Sequence, residues 1–564
     1  MLLSNLNLLA TAPGGVAKLR ELILTLAVQG KLVPQDAADE PAGVLLEKIR
    51  KEKDRLIAEG KIKKDKPLAA ITDEEKPFEL PEGWEWVRLG SLLDRLSNGY
   101  SGEQSKFPSQ YPLSRIETIS AATVNYDRVG YCKKLSEAEV EKYRLLQGDI
   151  LLSHINSDIH LGKTALIKED RLLIHGTNLL LLRPSVFCSS EYINLAITQR
   201  RFNGYFLSIA QHAIGQASIN QSKLSSTLVS LPPAAEQSRI VTRVEELMCL
   251  CDALEAKGQL EATQHAQLLS TLLGTLTASA TPEELADNWL RVAQHFDLLL
   301  DRPQAIDALE QTLLQLAVRG LLVPQDPTDE PASVLLQKIR AEKDRLIAAG
   351  QIKRDKPLPP ITEEEKPFEL PVGWEWARFP ELGQFGRGKS KHRPRNDPAL
   401  FNPPIYPVVQ TGEVARAKGV IQEYHSKYSE LGLAQSRLWP KGTLCITIAA
   451  NIADAAVLGF DACFPDSVVG FIPADAIGEA SYFLAFMETA RTQLVAFAPA
   501  TAQKNINLEI LESVLIPIPP LAEMTRIVTR VTQLRRLCAD LRQRLAERQS
   551  LQARLAEALV ASVA

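Results

Sequence analysis

The stretch "EKPFELPEGWEWVRL", Glu75–Leu89, is written a second time as "EKPFELPVGWEWARF", Glu365–Phe379. Trp84 and Trp86 return as Trp374 and Trp376. The match runs upstream without a gap, through "LAVQGKLVPQD" (Leu26–Asp36) and "LAVRGLLVPQD" (Leu316–Asp326). A second block follows each copy at almost the same distance. "LPPAAEQSRIVTRVEELMCLCDAL", Leu231–Leu254, returns as "IPPLAEMTRIVTRVTQLRRLCADL", Ile518–Leu541. Solenoid repeats recur every ~20–50 residues, and this period is far longer. The chain is therefore a duplicated pair of domains.

Between the repeated blocks lie two segments that differ, from about Gly90 to Ser230 and from about Pro380 to Pro517. They share faint echoes: "QGDILLS" with "KGTLCIT", and "GQASINQSKL" with "AQKNINLEIL". Two related folds with different surfaces, held in a repeated frame, suggest two binding modules of different specificity.

The frame reads as helical. Apolar residues fall at Ile240, Val244, Leu247, Cys251 and Leu254, and again at Ile527, Val531, Leu534, Cys538, Leu541 and Leu545. Alternating steps of four and three make a coiled-coil seam. The prolines before each run and Glu236 or Glu523 early in it suit helix starts. A helix of about 40 residues spans roughly 60 Å. Two such helices at equivalent places predict an antiparallel pair with approximate two-fold symmetry. "EPAGVLLEKIRKEKDRLIAEG" (Glu40–Gly60) is a further amphipathic helix ending at glycine, and the lysine-rich "KIKKDKP" after it reads as a solvated linker, with a partner or phosphate contact as the alternative. The differing segments look mixed. "GDILLSHI", "NLLLLRP" and "LCITIAANI" have strand character, while "SEYINLAITQRRFNGYFLSIA" and "EASYFLAFMETARTQLVAFA" have helical spacing.

Composition excludes several classes. With 564 residues, 45% hydrophobic and 23% charged, the chain is a multi-domain globular protein of about three to four folding units. It has no apolar run of membrane-spanning length, and the first residues carry no basic signal-peptide region. The seven cysteines form no C-x-x-C pair, so reduced thiols in a cytoplasmic protein are expected. The eight histidines include no H-E-x-x-H, and no metal site is expected. Net charge is -4, so any nucleic-acid binding needs local patches or a partner's charge.

Three stretches imitate catalytic motifs. "GQFGRGKS", Gly383–Ser390, fits the phosphate-loop pattern. A phosphate loop joins a buried strand to a helix, whereas Pro394 and Pro398 would break a helix in its first turns. "NPPIY", Asn402–Tyr406, has Ile405 where amino-group methyltransferases carry an aromatic residue. "SHINSDIH", Ser153–His160, holds Ser, His and Asp without the elbow that frames a nucleophile.

The polar loops suit nucleic acid better. "GRGKSKHRPRNDP" carries Arg387, Lys389, Ser390, Lys391, His392, Arg393 and Arg395. Arginine can donate twice to guanine, and lysine supplies charge to phosphates. The first segment offers Arg115, His154, Asn156, His160, Lys163, His175 and Asn178. Asparagine can pair with adenine through N6 and N7. Asn220, Asn451, Lys504 and Asn505 complete the candidate DNA contacts.

Frame, variable segment and long helix, given twice, resemble the specificity subunit of type I restriction–modification systems. The resemblance covers nearly the whole chain, and "ATPEELADNWLRVAQHFDLLLDRPQAIDAL" is among its most specific stretches. It implies an α+β protein in which two α/β target-recognition domains are separated by long helices forming an antiparallel coiled coil. On that reading 1–80 is an N-terminal helical region, 81–231 the first recognition domain and 232–280 the central long helix. Residues 281–370 repeat the N-terminal region, 371–518 form the second recognition domain and 519–564 the C-terminal long helix. Each recognition domain would read one half of a split target in double-stranded DNA, and the helices would fix the spacer. The chain itself would be non-catalytic and bind no cofactor. Two modification subunits would bring S-adenosylmethionine, and two restriction subunits ATP and Mg. The alternatives are a stand-alone adenine methyltransferase or nuclease, which lacks its motifs here, and a coiled-coil scaffold, which needs no pair of dissimilar polar surfaces.

Overall fold

A computed structural model describes residues 6–64, 66–119, 123–213, 216–279, 281–354, 356–392, 394–417, 419–449, 451–496 and 506–563. The chain divides into two units, Met1–Glu261 with Gln549–Ala564, and Ala262–Arg548.

In the first unit, α1 (Gly15–Val28) buries Leu19, Leu22, Ile23 and Ala27, one apolar face at helical spacing. It ends just before Gly30, whose φ is +71°. A Cβ there would lie 2.5 Å from Pro81 Cγ and 3.1 Å from the Trp84 ring, so glycine serves both the turn and the close approach. The second copy repeats this at Gly320, with φ +72° and Pro371 at 2.6 Å. Next, α2 (Ala42–Ala58) buries only Ala42, Leu45 and Ile49, and its other faces are charged.

The variable domain of this unit, which takes in the end of the repeated block before it, opens with β1 (Glu85–Arg88) and β2 (Leu93–Asn98). It continues through β3 (Ile150–Ser153), β4 (Ile155–Asn156), β5 (Thr164–Leu166) and β6 (Leu179–Pro184). Helix α3 (Ser190–Phe202) follows, then β7 (Gln211–Ala213), β8 (Gln216–Ser218) and β9 (Leu228–Leu231). The main sheet has the order β2-β6-β3-β5, all antiparallel. Leu180 and Leu182 join one apolar cluster, while Leu179 and Leu181 join another. A central strand buried on both faces has no polar side, which is why "NLLLLRP" is a continuous apolar run. The segment's first and last strands, β1 and β9, pair antiparallel, with Glu85 opposite Leu231. The long helix α4 (Ala234–Ala278) starts immediately after.

The second unit contains α5 (Pro282–Gln294), α6 (Pro303–Val318) and α7 (Ala332–Ala348). Its variable segment holds β10 (Glu375–Arg378), β11 (Gly383–Arg387), β12 (Leu444–Thr447), β13 (Ala455–Leu458) and β14 (Val468–Pro473). It ends with α8 (Ser481–Ala496) and β15 (Leu515–Ile518), and α9 (Leu521–Val563) follows. The sheet order is β11-β14-β12-β13, with Val420–Ile421 added beside β13. This is the order of the first unit plus one edge strand, although the two segments share little sequence. Strands β10 and β15 close the segment as β1 and β9 do, with Glu375 opposite Ile518.

The unit boundary falls inside α4, after Glu261, and inside α9, after Arg548. In the first unit Ile240, Val244 and Cys251 are buried, with Leu247 and Leu254 packed alongside. The same cluster takes in Ala556 and Val560 from the end of α9. In the second unit Ile527 and Val531 enter the core that also holds the β12 and β14 side chains. Leu534, Cys538, Leu541 and Leu545 share a separate cluster with Leu269, Leu273 and Leu276 of α4 and with α6. The seam is thus more than a two-helix seam. Its first turns pack into the core of their own unit, and later turns meet several helices.

Candidate nucleic-acid interface

The same side-chain joints recur in both repeats around the place where each variable domain meets its frame. Trp84 Nε1 donates to Glu236 Oε2 at 2.9 Å, and Trp374 Nε1 donates to Glu523 Oε2 at 3.0 Å. Both carboxyls are buried, and desolvation raises their pKa despite the indole hydrogen bond. Tyr192 donates its hydroxyl to the Ser230 carbonyl at 3.0 Å, and Tyr482 to the Pro517 carbonyl at 2.6 Å. Arg239 pairs with Asp39 and Arg526 with Asp329, each at 2.6 Å. These joints hold the start and end of each domain, leaving the far loops free to differ.

In the first domain one edge gathers several of the expected contacts. The turn between β3 and β5 is closed by Ser153 N–H donating to the Lys163 carbonyl and Gly162 N–H to the Ser153 carbonyl, each at 2.8 Å. His160 Nδ1 and Lys163 Nζ are 3.2 Å apart in this turn. Asn156 lies in β4, which pairs with β8 to give the small sheet β7-β8-β4. His212 of β7 approaches Asp158 at 4.0 Å. Arg201 of α3 donates to the Ile159 carbonyl at 3.1 Å and ties the turn down. Ile159 itself is 73% exposed, and Ile155, four residues earlier, is also exposed. A protruding edge of polar groups with an apolar tip is suited to base edges and thymine methyls. Sequence reading missed Ile155, Ile159 and His212, because only the strand pairing brings them together.

Other expected contacts stand elsewhere. Arg115 is exposed and donates to Gln104 Oε1 at 2.8 Å, in a separate small sheet. Asn178 is exposed just before β6. Asn220 caps the helix Gln221–Ser225, accepting from Lys223 N–H at 2.8 Å. Two histidines require correction. His175 is fully buried and its Nε2 lies 3.0 Å from the Leu179 carbonyl. His154 is 7% exposed. Burial lowers both to a pKa of about 4, so they are neutral core residues rather than DNA contacts.

In the second domain "GQFGR" is strand β11, paired along its length with β14. Gly388 N–H and Lys389 N–H then donate to the Val468 and Phe464 carbonyls. The amides that a phosphate loop turns toward its ligand are here engaged with neighbouring backbone, and no helix starts among the described residues from Lys389 to Asp397. The cationic loop beyond is anchored from the opposite side. Gln435 Oε1 accepts from Lys391 N–H at 2.7 Å and from His392 N–H at 3.2 Å, and Ser436 donates to the Lys389 carbonyl at 2.9 Å. His392 Nε2 meets Asp397 at 2.7 Å. Arg395 pairs with Asp466 at 3.0 Å, and Arg387 Nε donates to the Asp466 carbonyl at 2.9 Å. Ser390 is half-buried. Lys389 and Lys391 are exposed, and neither has an ion-pair partner among the described residues. The loop is therefore held in shape by Gln435 and Asp466, which sequence reading had no means to associate with it.

Asn451 is exposed in the β12–β13 turn, the counterpart of the β3–β5 turn. Ile506 N–H donates to the Ile448 carbonyl at 3.0 Å, as Ile219 N–H does to the His154 carbonyl at 2.8 Å. Both domains thus build the candidate edge in the same place. Arg393, Lys504 and Asn505 lie outside the described residues.

Comparison with known proteins settles the family. The model for the type I restriction modification DNA specificity domain matches twice, over residues 81–264 and 371–548. The chain belongs to the specificity subunits of type I restriction enzymes. It is 36% identical to the EcoEI specificity subunit of Escherichia coli, over 97% of this chain and 93% of that one. It is 43% identical to the EcoAI specificity subunit of Escherichia coli, over 66% of this chain and 63% of that one. A solved chain from a type I R-M system aligns over 86% of this chain and 99% of its own at a TM-score of 0.50 and 17% identity, a likeness of fold. This specificity subunit confers DNA sequence specificity within a restriction–modification complex. Among its described residues no helix is long and apolar enough to cross a membrane.

Proposed function

We propose that each variable domain reads one half of a split duplex target through the edge built by its main-sheet turn. In the first domain that edge is the β3–β5 turn with the paired strands β7 and β8. In the second it is the β12–β13 turn together with the anchored residues Lys389–His392 and Arg395. The observation that carries this reading is the repeat of one sheet order and one set of joints beneath dissimilar loops. Equal scaffolds with unequal loops suit two readers of different sequences.

The frame helices would fix the unread spacer and offer equivalent surfaces to two modification subunits, with two restriction subunits completing the assembly. Catalysis belongs to those partners. S-adenosylmethionine would sit on the modification subunits, and ATP and Mg on the restriction subunits. The target adenine would be flipped into a partner's pocket. A net charge of -4 leaves much of the phosphate neutralisation to the partners. The whole assembly would work in the cytoplasm.

The test is a genome-wide map of methylated adenines in cells expressing this chain with its own modification subunit. The expected result is one bipartite motif with two different halves and a fixed gap. Replacing the β3–β5 turn should change one half and leave the other half and the gap intact. A stable complex that methylates nothing, or a single continuous motif, would refute the two-reader scheme.

A further inference from the structure

The frame contains one ion pair that is the same in both repeats and one that is reversed. The Arg239–Asp39 pair is repeated with the same signs as Arg526–Asp329. Where α1 meets α4, Arg20 Nη2 lies 2.6 Å from Asp252 and 3.2 Å from Glu255. The residue equivalent to Arg20 in α6 is Glu310. It faces Arg542 at 2.7 Å and Arg535 at 3.2 Å on α9. Arg542 also reaches Asp307 at 2.7 Å. Alignment of the repeats sets Glu255 opposite Arg542, Met248 opposite Arg535 and Asp252 opposite Ala539. The equivalent position is therefore cationic on α1 and anionic on α6, and the facing long helix carries the complementary charges.

The apolar surfaces beneath these charges are nearly the same. Leu19, Leu24 and Ala27 correspond to Leu309, Leu314 and Ala317, while Ile240, Val244 and Cys251 correspond to Ile527, Val531 and Cys538. The apolar contacts with the long helix give α1 no reason to prefer α4 over α9, although α1 also packs on α3 of its own unit. The unreversed Asp39–Arg239 pair gives none either, because its signs are shared.

We propose that the reversed charges are a docking key, which directs α1 onto the acidic segment of α4 and α6 onto the basic segment of α9. In crossed docking Arg20 would face Arg535 and Arg542, and Glu310 would face Asp252 and Glu255. Every one of those contacts is repulsive, and none is a contact of the native pairing. Discrimination by repulsion in the wrong pairing is how duplicated helices avoid one another's partners. The same key opposes exchange of α1 or α6 between two chains, which would yield domain-swapped oligomers.

The test uses the full chain, with thermal unfolding and with refolding from denaturant followed by size-exclusion light scattering. Arg20→Glu is expected to lower the unfolding midpoint by about 2–4 °C, and by more than Arg20→Met does. Arg20→Glu combined with Met248→Arg, Asp252→Ala and Glu255→Arg transplants the second key into the first repeat. That variant should regain the midpoint, yet refold with several-fold more chain-exchanged dimer than the natural protein, because both repeats then carry one key. The proposal is overturned by Arg20→Glu behaving like Arg20→Met, by a transplant that fails to regain the midpoint, or by one that regains it and refolds with the natural distribution.

Discussion

Lys389 and Lys391 are exposed cations on a loop whose backbone is pinned by Gln435 and Ser436. Their neighbours Arg387 and Arg395 are held by Asp466. On the proposed function, the two lysines are the side chains, among the described residues of that loop, that would meet phosphate. Changing both to alanine removes two phosphate contacts and should make the slope of log affinity against log salt shallower by about 1.8. Extrapolated from about 1 M down to about 0.15 M salt, that slope corresponds to about a 30-fold loss of affinity. The assay is fluorescence anisotropy with a labelled duplex, at several salt concentrations, using the complex with the modification subunit. Because phosphate contacts carry no base information, matched and scrambled duplexes should lose affinity by the same factor. An unchanged slope, or a loss confined to the matched duplex, would refute the assignment.

Three further outcomes follow from the buried polar groups. Trp84→Phe removes the indole donor from a buried carboxyl, at a cost of about 2–3 kcal/mol, and should lower the first unit's unfolding midpoint by about 5–10 °C. Trp374→Phe should do the same to the second unit, and a large shift in only one would contradict the equivalence of the joints. Glu236 has its pKa raised above the ordinary 4.5 by burial, so its contribution to stability is fully present below 4.5 and is lost as pH rises through the raised value. Glu236→Gln should therefore stabilise the first unit at neutral pH, with the gain vanishing below pH 4.5 in calorimetric scans. His175 has the opposite sign. Its pKa falls from 6.5 to about 4 on folding, so its contribution is present above 6.5 and is lost as pH falls toward 4. The full effect is about 3 kcal/mol, and His175→Gln should flatten the acid limb of the first unit's stability profile over that window.

The duplication, the long helices and the central strands were legible because each is local. Heptad spacing announces α4 and α9, and four consecutive leucines announce β6. The common sheet order of the two variable domains was not legible. It rests on pairings such as β2 with β6, far apart in sequence, and the surface residues around it have diverged. The interface was legible only as composition. His154 and His175 carry the right chemistry for base contacts, but both side chains are buried, His154 between β3 and β4 and His175 in the stretch before β6. Arg395 reads as a free cation until Asp466, distant in sequence, is found beside it. The Trp84–Glu236 joint was missed for the same reason, although both residues stand in repeated blocks.

The pairing of β1 with β9, and of β10 with β15, brings the entry and exit of each variable domain to neighbouring strands. Adjacent strands lie only about 5 Å apart. Such a domain is mechanically a cassette. Its contents can be enlarged, shortened or replaced without lengthening any path through the frame. On the proposed function, what is read and how far apart the readings are taken would thereby be two separate settings of the molecule. A change in the cassette would alter the first, and only a change in the helices would alter the second.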